Sequence, residues 1–192
     1  MDPFDPSYGY DPLLGVWAIW ALSWFIAATW SGRTQARPVM GSQLLYRVIT
    51  FAGAAMLFDY RDWSGSPRLW RLSETGDWAM VWLAAAGFAF CWWARLHLGR
   101  LWSGSVTRKE GHHIVDTGPY RLVRHPIYTG IIIAALATAI ERGTVTSMIG
   151  FALMVLGCWI KARLEESFLR SELGADAYDA YAKRTGMLAP FL

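Results

Sequence analysis

Four stretches of this chain, residues 13–30, 79–93, 127–140 and 144–160, contain no Asp, Glu, Lys or Arg. A hydrocarbon core about 30 Å thick needs roughly 20 apolar residues of helix to cross it, and each run approaches that length. In lipid every backbone N–H and C=O must be satisfied internally, so a lone run of this kind folds as an α-helix. A fifth run, 44–60, is interrupted by Arg47 near its start and Asp59 at its end. Composition agrees. The chain is 54% hydrophobic and only 17% charged, with twelve Trp, a poor balance for a protein coated by water. The expected fold is an all-α integral membrane protein with about five transmembrane helices, at 13–31, 44–60, 78–96, 127–141 and 144–164. The last of these extends beyond the bilayer, and a C-terminal amphipathic helix over 175–183 lies on the cytoplasmic surface. At 192 residues this is one membrane domain, with a two-helix N-terminal part (1–77) and a second part (78–192).

Basic residues set the orientation, because Lys and Arg accumulate in cytoplasmic loops. With the N-terminus outside, the inner segments 31–47, 94–126 and 161–192 hold fourteen Lys and Arg, against Arg61, Arg68, Arg71 and Arg142 outside. The same choice lets Arg47 snorkel inward. The protein is therefore expected to be multi-pass, N-out and C-in. The first twelve residues carry Asp2, Asp5 and Asp11 and no base, unlike the positive start of a signal peptide. Cys91 and Cys158 fall inside apolar runs and read as buried thiols, with no disulfide framework or metal-ligand spacing. The net charge of +3 reflects basic loops and calls for no nucleic-acid partner. The tryptophans read mostly as interfacial or bilayer-facing anchors.

Only Glu141-Arg142-Gly143 separates the fourth and fifth runs, which predicts a tight antiparallel hairpin. Its two inner ends must lie side by side. One carries Arg124-His125-Pro126-Ile127-Tyr128 and the other Lys161-Ala162-Arg163-Leu164-Glu165-Glu166, so the two densest ionisable clusters meet at one membrane surface. Pro126 suits the first turn of a helix, whose open N–H groups favour an anion. Lys161 and Glu165 share a helical face, as do Arg163 and Glu166, and could be plain intrahelical ion pairs worth a few tenths of a kcal/mol each. Set against the His125 end of the hairpin, they read instead as a ligand site, with Glu facing a cation and a base facing an anion. Adjacent His112 and His113 lack the spacing of a metal site. Trp102-Ser103 is placed at the site mouth. Ser64-Gly65-Ser66-Pro67 reads as an outer turn and 104–111 as an inner loop. Pro190-Phe191-Leu192 is expected to tuck onto apolar surface. Dinucleotide fingerprint, P-loop, nucleophile elbow and His-Glu-x-x-His are all missing.

Gly118-Pro119-Tyr120, Arg124-His125-Pro126-x-Tyr128-x-Gly130, the basic Lys161–Arg163 stretch ahead of Glu165-Glu166, and the Gly174…Tyr178…Tyr181…Pro190 tail occur in an order that resembles the isoprenylcysteine carboxyl methyltransferase family. Leu98-Gly99-Arg100-x-Trp102-Ser103 precedes them. The resemblance covers about residues 90–192 and is to a prokaryotic-type member of the isoprenylcysteine and phospholipid methyltransferase superfamily. It implies S-adenosylmethionine as cofactor, held by His113, Ile114, Val115, Tyr120, His125, Pro126, Ile127 and Tyr128, with Glu165 or Glu166 toward its cationic part. It implies carboxyl O-methylation of an isoprenylcysteine-like acceptor, Lys161 or Arg163 holding the carboxylate, by a monomer that meets a lipophilic small molecule or prenylated peptide in the membrane lipid. An amine acceptor would also need a base, for which Glu166, His125 and Tyr128 are candidates. Three other readings stay open: a phospholipid amine or thiol methyltransferase, an NADPH-dependent membrane reductase with a similar Arg-His-Pro-x-Tyr segment, and a non-enzymatic lipid- or partner-binding protein.

Overall fold

The computed structural model describes residues 11–32, 34–36, 40–58, 67–103, 108–109 and 113–190. Most of the acidic N-terminal stretch, most of the 64–67 turn and 104–111 loop, His112 and the last two residues lie outside them. Among the described residues six α-helices follow one another: α1 (Pro12–Ala27), α2 (Met40–Leu57), α3 (Glu74–Leu98), α4 (Pro126–Arg142), α5 (Val145–Leu173) and α6 (Ala175–Ala182). Pro12–Trp30, Glu74–Leu101 and Val145–Glu172 are long and apolar enough to cross a membrane. α2 offers a shorter apolar stretch, Gln43–Leu57, and α4 has 17 residues. α5, with 29 residues, is about 43 Å long at 1.5 Å per residue, so one end must project past a hydrocarbon core.

Local chemistry explains the helix ends. Asp11 caps α1 by accepting from the Leu13 and Leu14 amides, and Ser73 caps α3 by accepting from Gly76. Gly143 closes α4 in the left-handed region (φ 62°) and Thr144 opens α5 with a reciprocal capping box to Ser147. Any Cβ at Gly143 would lie 2.6 Å from the Trp70 carbonyl oxygen, so only glycine fits both the conformation and the space. This one residue makes the predicted hairpin possible.

The main packed pairs are α3 with α4 and α2 with α5. Where α3 crosses α4 the backbones nearly touch, since a Cβ on Gly87 would sit 2.6 Å from the Gly130 carbonyl oxygen. Such close approach through small residues replaces the hydrophobic drive that lipid does not supply. Phe25, Ile19, Phe51 and Trp82 are more than 70% exposed, as lipid-facing side chains are.

Two expectations need amendment. First, the all-helical fold carries one minimal ladder, in which β1 (Thr34–Ala36) pairs antiparallel with β2 (Arg108–Lys109). Two connections at the same end of the bundle run side by side and satisfy one another's amides. Second, the tryptophans are not all peripheral. Trp17, Trp20, Trp24, Phe88, Trp92 and Trp102 form a column of edge-to-face and stacked rings between α1 and α3. Trp17 donates to the Thr138 hydroxyl at 2.9 Å, satisfying its polar handle inside the core. Trp30, Trp70, Trp78, Trp82, Trp93 and Trp159 stay exposed, as expected of interfacial or bilayer-facing anchors.

Candidate active site

The α4–α5 hairpin brings its two polar ends into direct contact. His125 occupies the N-cap of α4 and Pro126 its first position, where the missing N–H costs nothing. Arg124 Nε donates to Glu166 Oε1 at 2.6 Å, His125 Nε2 lies 3.2 Å from the same oxygen, and His125 Nδ1 lies 3.6 Å from Glu165 Oε2. The Tyr128 hydroxyl donates to Glu165 Oε1 at 2.7 Å, and its ring stacks on His125 at 5.3 Å. The two carboxylates thus pair across the hairpin with α4 and the residues before it.

Beside this network lies a cavity of about 260 Å³. Its walls include His113, Ile114, Val115, Tyr120, His125, Pro126, Ile127, Tyr128, Lys161 and Glu165. Nine of the ten residues expected to hold a cofactor therefore share one space. Glu166 is the tenth and stands behind the wall, on Arg124 and His125. Lys161 holds its ammonium 5.1 Å from the centre of the Tyr128 ring. Arg163 is not brought into the cavity; it is exposed and its guanidinium lies over Trp159. Trp102 and Ser103 reach the cavity as expected, joined by Trp24 from α1.

The C-terminal segment completes the enclosure, and its role had no local signal beyond spaced tyrosines. Tyr178 and Tyr181 of α6 line the cavity. The Tyr181 hydroxyl donates to the Tyr120 carbonyl at 2.8 Å, and burial raises both phenol pKa values. Beyond α6 the chain returns as a strap. The amides of Arg124 and His125 donate to the carbonyls of Gly186 and Met187, and Thr129 Oγ1 donates to the Leu188 carbonyl at 2.7 Å. Arg124 Nη1 donates to the carbonyls of Ala182 and Thr185. In the structure Arg124 ties the strap to Glu166.

Arg95 is a second residue whose position was not foreseen. It is 1% exposed. Its guanidinium donates to the carbonyls of Gly99 (2.6 Å) and Ala27 (2.8 Å) and lies 4.4 Å from the Trp102 ring centre. That cation fixes the ends of α1 and α3 and the aromatic wall between them.

His125 also sets a pH dependence. Burial pulls its pKa down, but hydrogen bonds to Glu165 and Glu166 outweigh burial and raise it above the ordinary 6.5. The stability this imidazolium contributes is complete below about pH 6.5 and is lost as pH rises through the raised value. The thermal midpoint of the wild type is expected to fall over that window. In His125→Gln that component of the fall is expected to vanish, which paired melting curves at several pH values would show.

The sequence is similar to that of known proteins. Residues 80–171, which run from α3 into α5, match the isoprenylcysteine carboxyl methyltransferase (ICMT) family. The cobalt-zinc-cadmium resistance protein CzcN of Cupriavidus metallidurans is 30% identical over 76% of this chain and 61% of its own length. The probable protein-S-isoprenylcysteine O-methyltransferase of Oryza sativa subsp. japonica is 35% identical over 44% of each chain. The protein-S-isoprenylcysteine O-methyltransferase of Schizosaccharomyces pombe is 37% identical over 44% of this chain and 36% of its own. The matched part of this chain spans about half the length of these relatives.

Proposed function

We propose that this chain, which matches the isoprenylcysteine carboxyl methyltransferase family over residues 80–171, methylates a lipophilic acceptor from S-adenosylmethionine. The acceptor group is a carboxylate, reached at the cytoplasmic face of a five-span, N-out and C-in protein that works as a monomer. The observation that carries this reading is the meeting of Glu165, His125, Tyr128 and Lys161 on one aromatic cavity.

The residues fit such a cofactor. A sulfonium and an ammonium suit the Glu165 carboxylate, a purine suits the rings of Trp102, Tyr120 and Tyr178, and a carboxylate suits Lys161 or Arg124. When bound, the cofactor supplies an electrophilic methyl group. The chain's own part is to place, to shield and to keep Glu165 from becoming the acceptor itself. Tyr128 and His125 do the last, since their contacts with the carboxylate oxygens leave it a weaker nucleophile. Lys161 holds the acceptor carboxylate, which is already ionised at neutral pH. Trp24, Trp102, Tyr178 and Tyr181 exclude water. A dry site favours a step in which an anion and a cation neutralise one another, and fixed alignment supplies the rest of the acceleration.

The test is isothermal titration of the purified protein in detergent with S-adenosylhomocysteine, and separately with NADPH. Micromolar binding of S-adenosylhomocysteine alone is expected. NADPH binding alone would move the chain to the reductases, and binding of neither would leave a lipid- or partner-binding protein.

A further inference from the structure

α2 lies wholly outside the segment that matches the family, yet its end nearest the cavity is polar and packed inward. Gln43 and Tyr46 are 4% and 5% exposed. The Tyr46 hydroxyl donates to Gln43 Oε1 at 3.3 Å. Arg47 reaches back one turn, Nη2 donating to Gln43 Oε1 at 3.2 Å and Nε to the Tyr46 hydroxyl at 3.5 Å. The Tyr46 ring therefore attracts two cations, Arg47 with Cζ 5.9 Å and Lys161 with Nζ 5.6 Å from its centre. Lys161 is also a cavity wall, so one buried ring joins the cavity to the outer surface of α2.

That outer surface is apolar. Leu44, Val48 and Phe51 are all exposed; Leu44 and Phe51 lie three and four residues from Arg47 on one helical stripe, and Val48 lies four from Leu44 and three from Phe51 beside it. A hydrocarbon tail lying along the stripe, in the lipid, would bring its head to Arg47 and Lys161. Glu165 and Glu166 meanwhile direct their oxygens at Tyr128, His125 and Arg124, while the α2 side of the cluster carries the cationic side chains of Arg47 and Lys161 on the Tyr46 ring.

We propose that the seam between α2 and α5 is the acceptor's headgroup site, in which Tyr46, Gln43 and Arg47 select a single-tailed lipid ending in a carboxylate over one ending in a neutral group. This rests on the methyltransferase reading and extends it to a helix outside the matched segment. Gln43 holds both Tyr46 and Arg47, and Tyr46 seats both cations, so the two cations keep a fixed spacing.

The experiment titrates the detergent-solubilised chain, saturated with S-adenosylhomocysteine, with farnesylthioacetic acid and with its primary amide. In the wild type the acid is expected to bind about tenfold more tightly, the scale of one charge-assisted contact. Arg47→Gln is expected to bring the two ligands to near parity, while Arg47→Lys keeps part of the preference. Neither variant should change S-adenosylhomocysteine affinity. Equal binding of acid and amide by the wild type, weak binding of both, or an unchanged preference in Arg47→Gln would each overturn the proposal. Failure of S-adenosylhomocysteine to bind would instead strike the methyltransferase reading, and the acid-to-amide ratio without it would still report on the seam.

Discussion

Replacing Glu165 by glutamine is expected to weaken S-adenosylmethionine binding about a hundredfold, while S-adenosylhomocysteine loses no more than about tenfold. Removing one partner of a desolvated charge pair costs a few kcal/mol, chiefly because the other charge is left unpaired. The two ligands differ by the methyl group and its positive charge on sulfur, so the difference between their losses isolates the sulfonium contact. Glutamine keeps the shape of the side chain and can still accept from the Tyr128 hydroxyl, now 2.7 Å from Glu165 Oε1. Loss of fold is thereby separated from loss of charge. Methyl transfer should drop at least as far as donor affinity, and isothermal titration of the two ligands is the direct measurement. Equal losses for both would place Glu165 on a part they share and send the sulfonium elsewhere.

Glu166 makes the informative comparison. Sequence reading left the two glutamates as alternatives, because adjacent residues on a helix point about 100° apart and nothing local says which way the cavity lies. The structure puts Glu165 on the wall and Glu166 on Arg124. Glu166→Gln should therefore act through His125 and the strap rather than through the charge of the donor, with similar losses for both ligands.

What could be read in advance follows from how local each signal is. The uncharged runs 13–30, 79–93, 127–140 and 144–160 each mark a helix, because lipid length is a property of neighbours in sequence. The meeting of His125 with Glu165 and Glu166 was also legible, since a three-residue connection leaves antiparallel helices no other arrangement. Arg95, by contrast, was counted with the interfacial bases. Its carbonyl partners at Ala27 and Gly99 come from two helix ends whose proximity depends on how α1 packs on α3. The aromatic column was missed for the same reason: a Trp in an apolar run can face lipid or a neighbouring helix, and periodicity in a helix apolar all round does not distinguish them. The α6 tyrosines and the strap join residues some 60 positions apart, beyond the reach of any window.

The strap supplies the second large effect. Arg124→Ala is expected to release residues 183–190 from the α4 end of the bundle and to destabilise the site by about 3–5 kcal/mol, the range for breaking a buried ion pair. Three interactions go together: the bond to Glu166 at 2.6 Å and those to the carbonyls of Ala182 and Thr185. Glu166 is left half-buried beside His125, and two carbonyls lose their donor. Because Tyr178 and Tyr181 form part of the cavity, S-adenosylhomocysteine affinity should fall although Arg124→Ala leaves Glu165 untouched. Lysine at this position keeps a charge for Glu166 but not the planar fork that serves acid and carbonyls at once, so Arg124→Lys should recover only part of the loss. Hydrogen exchange reads the outcome directly. Amides of 175–190 should lose protection in Arg124→Ala while those of α3 and α5 keep theirs. Uniform loss across every helix would show that Arg124 supports the bundle as a whole, and unchanged protection at 175–190 would show that Tyr181 and Thr129 hold the strap without it.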